Sequence, residues 1–148
     1  MKINKIQING FGNLANKNIE FSDNINLIHG DNEAGKSTMV YFIKSMFYGI
    51  NKFKAGKSFS EVERFKPWND NEFSGRIDYT VNDKRYSAFR DFNKNSCKIF
   101  NEFGDDITAS FDKDKSRGTL NRIFTFWNWW RNFFKFYFYF TRECNCCR

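Results

Sequence analysis

The stretch Gly30-Asp31-Asn32-Glu33-Ala34-Gly35-Lys36-Ser37 sets two glycines with four residues between them and follows the second at once with a lysine and a serine. That order of residue types suits a phosphate cradle. Glycine allows close approach of backbone N–H groups to an anion, a lysine brings a mobile cation, and a hydroxyl can ligate Mg²⁺. Gly30 and Gly35 are expected to take positive φ, and the N–H groups of Asn32, Glu33, Ala34, Gly35, Lys36 and Ser37 to surround the phosphates. Lys36 should reach the β- and γ-phosphates and Ser37 should ligate Mg²⁺, while Thr38, one step further, should hold the α-phosphate. The competing reading is a glycine turn that merely caps a helix.

The flanking elements decide between these readings, because a phosphate loop needs a strand in front and a helix behind. Ile25-Asn26-Leu27-Ile28-His29 is a β-prone run that stops at Gly30 and is expected to be that strand. Behind the loop, Met39, Phe42, Ile43, Met46, Phe47 and Ile50 recur at three- and four-residue steps, the spacing of one apolar helix face. Gly49 weakens the last turn. Upstream, residues 2–8 alternate apolar and polar side chains, which predicts a half-buried strand ending at Gly10 and Gly12, with a second strand at 18–21. Downstream, 51–72 is polar and Lys-rich and reads as a connection around Arg64-Phe65-Lys66-Pro67-Trp68. Residues 73–81 and 85–92 then read as a hairpin turning at Asn82-Asp83, and a shorter pair is expected at 98–103 and 107–109. The order predicts an α/β fold with mixed or antiparallel strands, one glycine loop and helix, and a β meander.

Other chemistry finds little support in the spacing. The one histidine, His29, at the end of the predicted strand, reads as packed or solvated, and it cannot build a nucleophilic triad without partners at a suitable spacing. Glu33 would repel phosphate and is expected to face outward. Cys144, Cys146 and Cys147 crowd the last five residues, where a closed zinc site wants spaced pairs. Arg64, Lys66 and Arg76 could meet phosphate or DNA, although isolated basic residues in loops and hairpins are more often solvated.

The length of 148 residues suits one domain, and the absence of Gly periodicity, heptads and internal repeats excludes collagen-like, coiled-coil and solenoid architectures. The formal net charge of +7 is divided unevenly, because residues 119–148 hold five of the 24 basic side chains and one of the 17 acidic ones. The body is therefore near neutral and offers no basic stripe to a nucleic acid. Aromatic residues divide in the same way: twelve of the seventeen residues 124–140 are Phe, Tyr or Trp. Two units follow, a body at 1–118 and an aromatic, Cys-ended tail at 119–148, which reads as out of frame or disordered. Adjacent terminal cysteines and the lack of an N-terminal apolar run predict a cytoplasmic protein with no membrane partner.

The strand around Ile3 to Phe11, the run from Ile25 to Thr38 and the helix ending Met46-Phe47-Tyr48-Gly49 resemble the N-terminal lobe of SMC-like ATPases. The resemblance is closest to the YhaN-type AAA-domain proteins and extends over Arg64-Phe65-Lys66-Pro67-Trp68, Phe73-Ser74-Gly75-Arg76-Ile77, Arg85-Tyr86 and Phe89-Arg90-Asp91-Phe92. It covers roughly residues 1–118. It implies a P-loop NTPase fold, the N-terminal lobe of an ABC-type head that binds Mg-ATP on a Walker A loop. It also implies a C-terminal ATPase lobe as partner, a head-to-head dimer, and an association with DNA repair or chromosome maintenance, DNA being a partner by resemblance only. No Walker B strand and no Ser-Gly-Gly signature are found in the sequence, so no catalytic residue is assigned and hydrolysis by this chain alone is not expected. The alternatives are a small P-loop kinase, against which the two strands ahead of the loop argue, and a non-functional truncated product.

Overall fold

The alternation that begins at Lys2 carries one strand further than the glycines suggested. In the computed structural model, β1 spans Lys2–Phe11 and turns through Gly12 and Asn13 into β2, Leu14–Glu20. Gly12, at φ 58°, makes this two-residue turn possible. Residues 1–51, 59–68 and 72–110 are described in full, and beyond them the backbone of two short paired strands, Lys113–Asp114 and Thr119–Leu120. The rest of the aromatic tail, and with it the expectation of a shifted frame or disorder, lies outside the described residues.

The apolar stripe forms α1, Lys36–Tyr48, and Met39, Phe42, Ile43, Met46 and Phe47 are all buried, as is Ile50 just beyond the helix. β3 (Ser74–Val81) and β4 (Lys84–Asp91) make the expected hairpin, with Asn82 and Asp83 both at positive φ as a tight turn of that hand requires. β5, Ser96–Asn101, completes a five-stranded sheet in the order β2-β1-β3-β4-β5, antiparallel throughout. The two halves of the sheet meet where β1 pairs with β3, in a register that sets Ile6 opposite Ile77 and Ile8 opposite Gly75.

One face of this sheet takes the helix. Gly75 lies under the Phe42 ring so closely that an added Cβ would stand 2.5 Å from it, and the Phe47 ring meets Tyr79 edge-on at 5.4 Å. Phe11, Phe42, Phe73 and Phe92 cluster at the same end of the core with centroids 5.0 to 6.3 Å apart. The buried guanidinium of Arg90 on β4 donates from Nε to the Met46 carbonyl near the C-terminus of α1 at 3.1 Å. The opposite face is polar and laced by the pairs Lys5–Glu20 and Arg76–Asp78.

Two expectations are corrected. Residues 25–29 form no strand, because no neighbouring strand among the described residues shares a ladder with them; Ile25 and Leu27 are left 84% and 88% exposed. A β-prone run becomes a strand only when its backbone groups find partners. Residues 107–109 likewise do not pair as a strand: a single bridge joins Phe100 to Asp106, and Thr108–Ser110 makes a turn of 3-10 helix. Within the polar connection, Glu61–Phe65 forms a second helix, α2.

Candidate functional site

The glycine loop enters α1 without a seal. Gly35 stands at the N-cap with φ 90° and has no side chain with which to cap, and the first turn carries no acidic residue. The first intrahelical bond runs from the Met39 N–H to the Gly35 carbonyl at 2.9 Å. The N–H groups of Lys36, Ser37 and Thr38 therefore precede the helical ladder and point out of its positive end. An added Cβ on Gly35 would stand 2.5 Å from the buried Leu14 side chain, so both conformation and space demand glycine there.

The loop's other positions depart in detail from the expected pattern. Gly30 does not take positive φ; its small size matters because a Cβ would come within 3.2 Å of Ala34. The second left-handed residue is Glu33, at φ 67°, whose side chain is exposed as expected. The Ala34 N–H is turned inward to the Asp31 carbonyl at 3.2 Å, which removes it from the set facing a ligand. Asn32 is exposed, and so is Ser37, leaving its hydroxyl accessible. Thr38 is half-buried against the turn after β1, with its methyl 2.9 Å from where a Gly12 Cβ would stand. His29 is exposed.

Lys36 is folded across the mouth of the loop. Its Nζ donates to the Gly30 carbonyl at 2.6 Å and to the Asp31 carbonyl at 2.7 Å. The ammonium thus already stands over the loop, held by two acceptors that a stronger anionic acceptor could replace.

Three segments distant in sequence converge beside this loop. Asn13 donates from its amide to the Glu33 carbonyl at 2.8 Å, and the Gly12 N–H donates to the Phe65 carbonyl at 2.6 Å. The turn after β1 is thereby tied both to the glycine loop and to the end of α2. Between them lies a cleft of about 210 Å³ bordered by Ser37, Thr38, Tyr41, Arg64, Phe65 and Trp68. The Arg64 guanidinium lies 5.4 Å from the Tyr41 ring centre and 5.2 Å from that of Phe65. Sequence reasoning named Arg64 without a place for it and missed the contribution of Asn13 and Tyr41, which no local spacing links to the glycine loop. A larger concavity, about 1290 Å³, lies over the polar face of the sheet, and none of residues 30–38 borders it.

The sequence profile of the AAA domain family matches residues 5–141, nearly the whole chain. The chain belongs to the AAA domain family. The match runs past residue 118, where the resemblance read from the residues stopped. A relative of this AAA domain is the uncharacterized protein YhaN of Bacillus subtilis (strain 168), 40% identical over 55 residues, which are 36% of this chain and 6% of that protein. The chain thus corresponds to a small part of that relative's length. Together the two findings make it a segment of an SMC-like AAA ATPase, and an AAA domain implies nucleotide binding in general. Among the described residues, no helix of this AAA domain is long and apolar enough to cross a membrane, and no group of three or more His, Cys, Asp or Glu is placed to hold a metal ion.

Proposed function

We propose that this AAA domain is the Mg-ATP-binding half of an SMC-like ATPase head, with the phosphates seated on residues 30–38. The observation that carries the reading is the bare N-terminus of α1: N–H groups of Lys36, Ser37 and Thr38 without intrahelical partners, a left-handed Gly35 that no other residue fits, and Lys36 poised over the loop. On binding, Lys36 would exchange its two carbonyl acceptors for phosphate oxygens. Ser37 supplies one exposed hydroxyl to Mg²⁺, and the remaining oxygen ligands would come from phosphates, water and the partner lobe.

The partner is a C-terminal ATPase lobe, and exposed Ile25 and Leu27 on the irregular segment leading into the loop are the surface it would cover. Assembly into a head-to-head dimer, a cytoplasmic location and a role in DNA repair or chromosome maintenance are carried by the resemblance. Alone, the chain is expected to hold nucleotide without turning it over, since no Walker B strand is found in its sequence to supply an acid for Mg²⁺ and a base for water.

Calorimetric titration tests the reading. Lys36→Ala should weaken Mg-ATP binding at least tenfold, about 1.4 kcal/mol. Equal affinity in the two proteins would overturn the phosphate-loop assignment. A steady-state rate of roughly 1 to 100 per second from purified wild type, abolished by Lys36→Ala, would show the chain to be a complete ATPase.

A further inference from the structure

We infer that the β4–β5 half of the sheet's polar face binds single-stranded nucleic acid, with Phe89 and Phe100 stacking on unpaired bases and Arg85 and Lys98 meeting phosphates. The two halves of that face differ in how their charges are used. On β1 and β3 the cations are neutralised by the chain itself, Lys2 by Asp23, Lys5 by Glu20 and Arg76 by Asp78. On β4 and β5, Arg85 and Lys98 are exposed and have no ion-pair partner among the described residues.

The strand register sets aromatic rings among those two free cations. Ala88, Arg90, Cys97 and Ile99 are buried towards α1, so Arg85, Ser87 and Phe89 share the opposite face with Lys98 and Phe100. Phe89 stands opposite Lys98 and Ser87 opposite Phe100. Phe89 and Phe100 are therefore diagonal neighbours about 7–8 Å apart, and Phe100 has a free cation on either side. Neither ring packs against another aromatic ring among the described residues, and Phe89 is exposed. Beyond the end of β5, Asn101 Oδ1 accepts from the N–H groups of Phe103 and Asp105 at 3.0 and 2.9 Å, a tight loop that holds Phe103 in solvent. The concavity of about 1290 Å³ runs over Arg85, Ser87, Phe100 and Phe103. Carboxylates stand at the ends of the patch, Asp83 and Glu102 at the rim of the concavity and Asp91 at the far end of β4, which limits the footprint to a few nucleotides.

A sheet that offers rings to π-faces and cations to phosphates favours bases that are free to unstack, and a duplex hides them. No stretch of sequence shows this pattern, because a turn separates its two strands and alternation hides each half. None of residues 30–38 borders the concavity, so the inference stands apart from the phosphate loop.

The test is fluorescence anisotropy of the full chain with labelled oligothymidylate and oligouridylate of about fifteen bases and with the matching dA·dT duplex. At least one single strand should bind tenfold or more tightly than the duplex, and the tighter of the two tells DNA from RNA. Phe89→Leu and Phe100→Leu keep apolar bulk and lose the π-face; each should weaken that strand about tenfold, and Tyr at either position should restore it. Arg85→Gln and Lys98→Gln should each lower the salt slope by about 0.7, one phosphate contact. These four variants should leave Mg-ATP affinity unchanged, and Lys36→Ala should leave single-strand affinity unchanged, so the two sites fail separately. Single-strand binding that none of the four variants moves would lie elsewhere on the chain and overturn the inference. Equal affinity for the duplex, or no binding at all, would overturn it too.

Discussion

The two helices begin in opposite ways. α2 has only five residues, yet its first turn is closed by a reciprocal pair in which Ser60 Oγ accepts from the Glu63 N–H at 3.2 Å and the Glu63 carboxylate accepts from the Ser60 N–H at 2.9 Å. α1, with thirteen residues, begins on a glycine with no side-chain cap and no acid in its first turn. Its far end is sealed from another strand, by Arg90 at the Met46 carbonyl, and Gly49 returns its N–H to the Ser45 carbonyl. Where a helix end serves the fold its polar groups are satisfied by the chain. Among the described helix ends, the one left bare is the end that the glycine loop approaches, the end proposed to seat the phosphates.

Substitutions at these ends should separate in size. Arg90→Ala removes a buried side chain and leaves a helix carbonyl without its donor, and should cost about 3 kcal/mol or more in urea unfolding. Arg90→Met, which keeps the volume, should recover part of this, and neither should alter nucleotide affinity of the folded protein. An equal loss in the two would show that the hydrogen bond, and not the packing, seals that end. Gly35→Ala meets both a left-handed backbone and the Leu14 side chain, so about 2 kcal/mol of stability should be lost together with nucleotide binding. Stability without binding after that change would still fit a functional end; binding without loss would not.

Ser60→Ala opens the sealed end of α2 and should cost about 1 kcal/mol, read as a lower denaturant midpoint at unchanged slope. The smallest effect belongs to Glu20→Gln on the polar face. The hydrogen bond and charge of Lys5 hold the Glu20 carboxyl below its ordinary range, so the pair stabilises the fold above the unfolded carboxyl pKa and that contribution is lost as pH falls through the depressed one. Both side chains are exposed, and the melting temperature should barely change at neutral pH and not at all in strong acid.

What the sequence made legible follows from how local each signal is. The six-residue stripe from Met39 to Ile50 and the Asn82-Asp83 turn are written within a few residues, and both stand as read. The capping pair Ser60 and Glu63 is equally local and signals α2 inside a connection whose polar, Lys-rich composition reads as loop. Residues 25–29 misled because β-propensity describes a side chain's fit to a sheet and says nothing of where the second strand comes from. For the site, glycine spacing located the loop, but not that Gly30 needs smallness where Gly35 needs a left-handed backbone. The cleft at Asn13, Tyr41 and Arg64 was invisible, because only the fold brings those three positions together.

Apart from Gly12 and Asn13 in the turn after β1, the candidate site lies in the connection between β2 and β3, and the β1–β3 ladder brings the ends of that connection together. The hairpins on either side close locally, whereas β1 must find β3 across the glycine loop, both helices and everything between. Closing so long a connection before its contacts give anything back makes this pairing the slow event in folding. The cleft and the loop then have no shape until the sheet is joined. A ligand that recognises them would be blind to the chain before that moment, so nucleotide should leave the refolding rate as it is and lengthen the lifetime of the folded state.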